Sequence, residues 1–418
     1  MSRKLWAVVA LLLSFALVAS ACGSDEASDT AAEDGSTTTG TTDGGDGESS
    51  AFVTLDDACA AAEGLQAPEG FRVNLVTDIG KVDDGTFNQF AYDGMQAAVD
   101  CFGIAENDFI ETVSEADYAA NIATSLESSP DALVTVGFLI TDDTKAAAEA
   151  NPDVDFIGID QFLPEYPENM AGVQFSEDES GYIAGVLAAS LSESGVVGVV
   201  AGREDVPPVV KFVNGYTVGA ESVNPDIRVL SIYNESFTDI AKGASDAAQF
   251  IGEGADVIFG AGGQTGSGGI AAAAEQGVWA IGVDQDEYFT TFASGGAPGS
   301  EFLASSAIKR VDLVTFRLIQ ASVEGAFTDG LVVGTAANDL ITYAESHDAE
   351  LPEEAVAATE AARLGLAVGN ITTGICGIDG LFLGQNSACD DSGGGETTTT
   401  AGGSTTTGGG ETTTSAAP

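Results

Sequence analysis

Residues 77–89 run Thr77-Asp78-Ile79-Gly80-Lys81-Val82-Asp83-Asp84-Gly85-Thr86-Phe87-Asn88-Gln89, carboxylates first, then an aromatic ring and two amides. A carboxylate supplies acceptor oxygens, an amide supplies donor and acceptor, and an aromatic face supplies a stacking surface. Together they suit a neutral ligand with hydroxyls and a flat ring. Similar chemistry recurs along the chain. Asp78, Asp160 and Asp284 each close a short apolar run, at 73–77, 156–159 and 279–283. Phe87 and Phe259 each stand beside the end of such a run, and Lys309-Arg310 is a basic pair in a chain with 13 basic residues. Gly262 and Gly263 lie in a glycine-rich stretch where backbone can approach a ligand closely. Each residue has an ordinary alternative. An Asp after a strand also caps a helix, Asn88 also starts one, a Phe also fills a core, and a lysine also makes a surface ion pair.

Positioning these groups requires strands that end at one crevice. Apolar runs predict strands at 73–77, 109–113, 132–137 and 156–159, then at 196–200, 228–233, 257–259 and 279–283. Helical patterns fall between them, at 88–99, 118–126, 181–191, 209–223 and 269–275. Such alternation implies parallel β-α-β units, whose ligands bind beyond the carboxyl ends of the strands. The expected fold is α/β: two doubly wound parallel-sheet lobes joined by a hinge that the chain crosses more than once. The expected boundaries are 52–172 with about 303–325 for the first lobe, and 173–302 with about 326–389 for the second. Asp83 and Asp84 are expected to cap or order their loop.

The flanks differ in kind. Arg3 and Lys4 precede an apolar run at 5–18, which is short for a membrane span, and Ala19-Ser20-Ala21 leads into Cys22. This predicts a signal segment over 1–21 and a lipidated Cys22, although Ala19-x-Ala21 also suits an ordinary signal peptidase. Residues 22–51 read as a disordered tether and 390–418 as a disordered Gly/Thr-rich tail. With Cys22 acylated, four of the 5 cysteines remain. Cys59–Cys101 and Cys376–Cys389 are the favoured pairs among three possible connectivities, with buried free thiols as the alternative. No C-x-x-C occurs and the single histidine is His347, so no metal site and no cofactor are expected. A formal charge of −52 repels nucleic acid and disfavours phosphorylated ligands.

The ordered blocks resemble the basic membrane lipoprotein (PnrA-like) family, nucleoside-binding subunits of ABC transporters. They are Thr77-Asp78-Ile79-Gly80 with Asp83 to Gln89; Gly158-Ile159-Asp160; Phe259-Gly260-Ala261-Gly262-Gly263-Gln264-Thr265-Gly266; Ile281-Gly282-Val283-Asp284-Gln285-Asp286; and Lys309-Arg310-Val311-Asp312. The chain departs from that pattern at Gly85, where Lys is common, at Thr86, where Ser is common, and in its acidity. The resemblance implies a hinged clamshell, held at the outer face of a bacterial cell membrane by its lipid. It would capture a nucleoside, purines in preference, and pass it to an ABC permease.

The resemblance also implies roles. Phe87 and Phe259 would clamp the base from opposite lobes. Asp78 and Asp284 would accept the ribose hydroxyls, Asp160 would receive N–H donors from the base edge, and Asn88 would touch base or sugar. Lys309 would donate to a ribose oxygen while balancing Asp78 and Asp284. Gly262 and Gly263 would place N–H groups in the cleft. The glycine-rich stretch fails as a nucleotide loop, because Thr265 stands where G-x-G-x-x-G needs its third glycine and no phosphate-binding Lys follows. A nucleoside hydrolase is disfavoured, since no histidine cluster, G-x-S-x-G elbow or Cys–His pair occurs. A ligand sensor, or a sugar- or autoinducer-type binding protein on the same scaffold, remains the competing class.

Overall fold

The computed structural model describes residues 53–390. The expected signal segment, Cys22, the tether and the tail beyond residue 390 lie outside the described residues.

Short helix α1 (Leu55–Ala61) precedes a first run of strands: β1 (Arg72–Ile79), β2 (Glu106–Thr112), β3 (Ala132–Val136), β4 (Asp155–Ile159) and β5 (Met170–Phe175). Helices α2 (Phe87–Phe102), α3 (Tyr118–Leu126) and α4 (Thr141–Ala150) separate the first four. Helix α5 (Glu177–Leu191) leads to β6 (Val196–Ala201), β7 (Arg228–Tyr233), β8 (Val257–Ala261), β9 (Trp279–Asp284) and β10 (Leu303–Lys309), with α6 (Pro207–Val223), α7 (Ile240–Gly252) and α8 (Gly263–Ala274) between them. Then come α9 (Val311–Val323), β11 (Gly330–Gly334), β12 (Ile341–Tyr343) and α10 (Glu353–Ala367).

These strands form two six-stranded sheets, ordered β11-β5-β4-β3-β1-β2 and β12-β10-β9-β8-β6-β7. The pairings are parallel except β10 with β12. Central strands such as β3 and β8 are buried along their whole length, as expected of parallel strands covered by helices on both faces. The chain passes between sheets after β5, after β10 and after β11. The sheets are therefore two lobes sharing one hinge.

Two expectations about the lobes need correction. The sequence pattern puts residues 303–309 in the first lobe, yet β10 hydrogen-bonds to β9 in the second sheet. It puts residues beyond 326 in the second lobe, yet β11 pairs with β5 in the first. In addition, residues 173–175 belong to β5 of the first sheet. The crossings exchange single strands, and apolar runs of similar length carry no record of their hydrogen-bond partner.

Helices α5 and α6 both cover the second sheet and pack closely on each other. Gly181 and Gly185 of α5 face the backbone of Phe212 and Tyr216, while Gly215 and Gly219 of α6 face Asp178 and Tyr182. A Cβ at Gly185 would collide with the Tyr216 carbonyl oxygen, so only glycine permits this approach. Disulfides Cys59–Cys101 and Cys376–Cys389 are both present; the first ties α1 to α2.

Candidate functional site

The carboxyl ends of both sheets face one cleft. It is lined from the first lobe by Asp78, Asp84, Phe87, Asn88, Phe138 and Asp160. The second lobe contributes Val209, Phe212, Phe237, Gly262, Gly263 and Asp284, and the crossing strand β10 contributes Lys309. Across the mouth, Gln285 Nε2 donates to the Thr86 carbonyl at 3.1 Å and Thr290 Oγ1 donates to the Gly85 carbonyl at 2.9 Å. Arg203 also pairs with Glu115 from the opposite lobe. The lobes are thus closed on each other.

The loop after β1 is held by its own side chains. Asp84 accepts from the backbone N–H of Thr86 at 2.9 Å and of Gln89 at 3.1 Å. Asn88 Nδ2 donates to Asp84 at 2.9 Å, while Asn88 Oδ1 accepts from the Asp78 N–H at 2.8 Å. Asn88 therefore orders the loop, which leaves one N–H of its amide for a ligand. Asp84 orders the loop and also lines the cleft. Asp78 Oδ1 accepts from the Ile79 N–H at 2.7 Å and from the Tyr118 hydroxyl. Its carboxylate packs against Gly137, where a Cβ would collide with Asp78 Oδ2. Burial lifts the Asp78 carboxyl to about 6, against the Tyr118 hydrogen bond.

Asp160 and Asp284 occupy matching places. Asp160 follows β4 and Asp284 ends β9, and their φ angles of 60° and 66° are both left-handed. That conformation is uncommon outside glycine, and such residues cluster at ligand sites. Both carboxyl groups are buried, and Oδ1 of each lacks a hydrogen-bond partner among the described residues. Burial lifts the Asp284 carboxyl to about 7, with Lys309 opposing. Burial also raises the Asp160 carboxyl, again against Lys309.

Lys309 Nζ lies between them. It donates to Asp160 Oδ2 at 2.7 Å and to Glu177 Oε1 at 3.3 Å, and lies 3.9 Å from Asp284 Oδ1. It also sits 4.6 Å from the Phe87 ring centroid, within cation–π range. Burial works against its charge, yet Asp160, Glu177 and Asp284 together hold the ammonium above the usual lysine range. Arg310, by contrast, turns away from the cleft to Asp312 and the Val53 carbonyl.

Phe259 is not in this cleft, which corrects the expected clamp. Its side chain is 0% exposed and packs in the core of the second lobe, 5.2 Å from the stacked Tyr216 ring and 6.1 Å from Phe212. On β8, alternation places Val257, Phe259 and Ala261 on one face, and only Ala261 at the strand end reaches the cleft. Phe212 and Phe237 supply the rings of the second lobe instead. Gly262 and Gly263 line the cleft at the start of α8. A Cβ on Gly262 would also collide with the Gly202 backbone nitrogen, so strand packing constrains that position too.

Sequence reasoning misses Phe138, Phe212, Phe237, Tyr118, Glu177 and Lys211. A visible signal for Lys211 is its isolation inside the apolar stretch Val209-Val210-Lys211-Phe212-Val213. Glu177 is masked by its neighbours, because Glu177-Asp178-Glu179 looks like an ordinary acidic first turn.

Comparisons with known proteins converge on one class. Residues 71–337 match the family described as ABC transporter substrate-binding protein PnrA-like. The ABC transporter nucleoside-binding protein BmpA of Lactococcus lactis is 33% identical over 280 residues, covering 63% of this chain and 78% of that protein. Basic membrane protein D of Borreliella burgdorferi is 30% identical over 279 residues, covering 65% and 77%. Among solved structures, an ABC transporter solute-binding protein from Aeropyrum pernix aligns with a TM-score of 0.63 at 24% identity, covering 72% of this chain and 92% of that one. One from Conexibacter woesei aligns at 0.57 and 20% identity, covering 72% and 98%. These two likenesses concern the fold.

Proposed function

Since this chain belongs to the PnrA-like substrate-binding proteins of ABC transporters, we propose that its cleft captures a nucleoside, with purines preferred, and presents it to the permease. The observation that carries this reading is the pair of buried oxygens without a hydrogen bond among the described residues, Asp160 Oδ1 and Asp284 Oδ1, in a cleft walled by phenylalanines. Buried acceptors without donors are costly, and a ligand rich in N–H and O–H groups relieves that cost. Asp160 takes N–H donors from the base edge, as guanine and hypoxanthine present them. Asp284 and Asp78 take ribose hydroxyls, Lys309 donates to a ribose oxygen, and the Gly262 and Gly263 amides face the ligand. The base lies against Phe87 on the face that Lys309 leaves free, with Phe212 or Phe237 closing from the other lobe.

The nucleoside-binding relative supports the ligand class. Charge supports the exclusion of nucleotides, because Asp78, Asp84, Asp160 and Asp284 surround one cleft lysine and repel phosphate. No covalent step is needed. Desolvation, stacking and hydrogen bonding suffice, and closure around the ligand creates the surface a permease reads. Cys22 carries the lipid that holds the domain at the outer membrane face, which intact-mass measurement on detergent-extracted protein checks. Calorimetric titration with inosine, guanosine, adenosine, cytidine and ribose tests the ligand class. Inosine and guanosine bind, and their monophosphates bind far more weakly. Ribose binding as tightly as inosine overturns the reading and points to a sugar-binding protein.

A further inference from the structure

Behind the cleft, the ion pairs continue into the hinge. Glu177 opens α5, the first crossing, and is 0% exposed. Its Oε1 accepts from Lys309 at 3.3 Å, and its other oxygen pairs with Lys211 of α6, also 0% exposed. Lys211 Nζ in turn donates to the Phe175 carbonyl at 2.6 Å, where β5 of the first lobe ends. One buried chain of charge therefore runs Lys211–Glu177–Lys309–Asp160. It joins α6, the start of α5, the end of β10 and the end of β4 in the first lobe.

We propose that Glu177 and Lys211 are positioning residues that, through Lys309, hold Asp160 in the orientation and charge state in which it meets the ligand. Neither lines the cleft among the described residues, so both act at second hand. Lys309 has three carboxylates around it. With Glu177 satisfied by Lys211, Lys309 is free to bond Asp160 at 2.7 Å; without Lys211, Glu177 competes for the same ammonium. The backbone-to-backbone glycine contact of α5 with α6 fixes the spacing of Glu177 and Lys211, which makes the pair a rigid support. Asp160 feels Lys309 from β10, Glu177 from α5 and Lys211 from α6. It also interacts with Asp284 at the end of β9 across the cleft and with Asp78 on β1 of its own lobe.

The test is the titration of the Asp160 carboxyl carbon by NMR in ligand-free protein, with Asp160→Asn used for assignment. Lys211→Met removes a cation and moves the titration up by about one unit; Glu177→Gln removes an anion and moves it down by a similar amount. The double variant, in which the pair is neutral, returns it close to the wild-type midpoint. Inosine affinity follows in parallel, weaker in Lys211→Met and recovered in the double variant. A merely structural pair predicts lost stability in each single variant with no opposite shifts. Titrations that stay put, or move in the same direction in both variants, overturn the proposal. The affinity arm rests on the nucleoside reading and the NMR arm does not. Opposite shifts without any inosine binding therefore reject the ligand alone.

Discussion

Asp160 and Asp284 sit at equivalent strand ends of the two lobes, in the same left-handed backbone, each with a buried Oδ1 that lacks a hydrogen bond among the described residues. They differ in one distance. Lys309 lies 2.7 Å from Asp160 but 3.9 Å from Asp284. Asp160 is therefore ion-paired before a ligand arrives. Asp284, lifted to about 7, waits partly protonated for a donor. The difference teaches that two similar lobes make an asymmetric site because the single lysine sits on a crossing strand. On the proposed nucleoside reading, the base edge meets the fixed, charged acceptor Asp160, and Asp284 meets ribose hydroxyls from the opposite lobe.

The strongest way to break this comparison is to remove its shared partner. Lys309→Met leaves Asp160, Glu177 and Asp284 buried without their common cation, and losing one partner of a buried pair costs roughly 3–5 kcal/mol of stability. Denaturant unfolding measures it. A small change would mean the carboxylates are solvated in solution.

Next, the rings separate the lobes by a different criterion. Phe259→Ala costs ~3–5 kcal/mol of stability, read by the same unfolding. It leaves inosine affinity nearly unchanged. Phe237→Ala and Phe87→Ala do the opposite, weakening affinity with smaller stability loss. A Phe259→Ala variant that folds normally and loses binding selectively would reinstate the discarded clamp.

A smaller effect sharpens the asymmetry itself. Asp284→Ala removes hydrogen bonds to a charged acceptor, worth roughly 1.5–3 kcal/mol of binding, equally for inosine and cytidine. Asp160→Ala penalises inosine and guanosine more than cytidine. Titration calorimetry across these ligands checks both. Equal losses for all nucleosides in both variants would erase the distinction between base and sugar ends.

The smallest effect is in pH. Burial raises Asp78 to about 6 and Asp284 to about 7 from the ordinary 3.8. The folded chain then holds protons that the unfolded chain releases in that window. The stability these groups contribute is full at acid pH and falls as pH rises from about 4 toward 7. Thermal melts of ligand-free protein follow this slope, and Asp284→Asn flattens it. Affinity runs the other way, since an ionised acceptor is needed, so inosine binding weakens below about pH 7.

Much of the architecture is legible because buried parallel strands are written as apolar runs bounded by polar turns. The run Ala132-Leu133-Val134-Thr135-Val136 of β3 leaves little choice. What is not legible is partnership. Nothing in residues 303–309 or 330–334 states which sheet accepts them, and β5 escapes notice because Met170-Ala171-Gly172 begins it weakly. At the site, strand-end position identifies Asp78, Asp160 and Asp284 as cleft residues. Phe259 stands beside the same loop as Gly262, but strand alternation turns it into the core, and Phe212 and Phe237 take its place from helix and loop. Lys211 and Glu177 acquire meaning only through α5–α6 packing, which no local pattern announces.

The most direct measurement is a crystal structure of the protein with inosine bound. The account predicts the purine against Phe87, its N–H edge ~2.7–3.0 Å from Asp160 Oδ1, and a ribose hydroxyl at the same distance from Asp284 Oδ1. A ligand held the other way round, with sugar at Asp160 and base at Asp284, or seated outside the cleft, would contradict it.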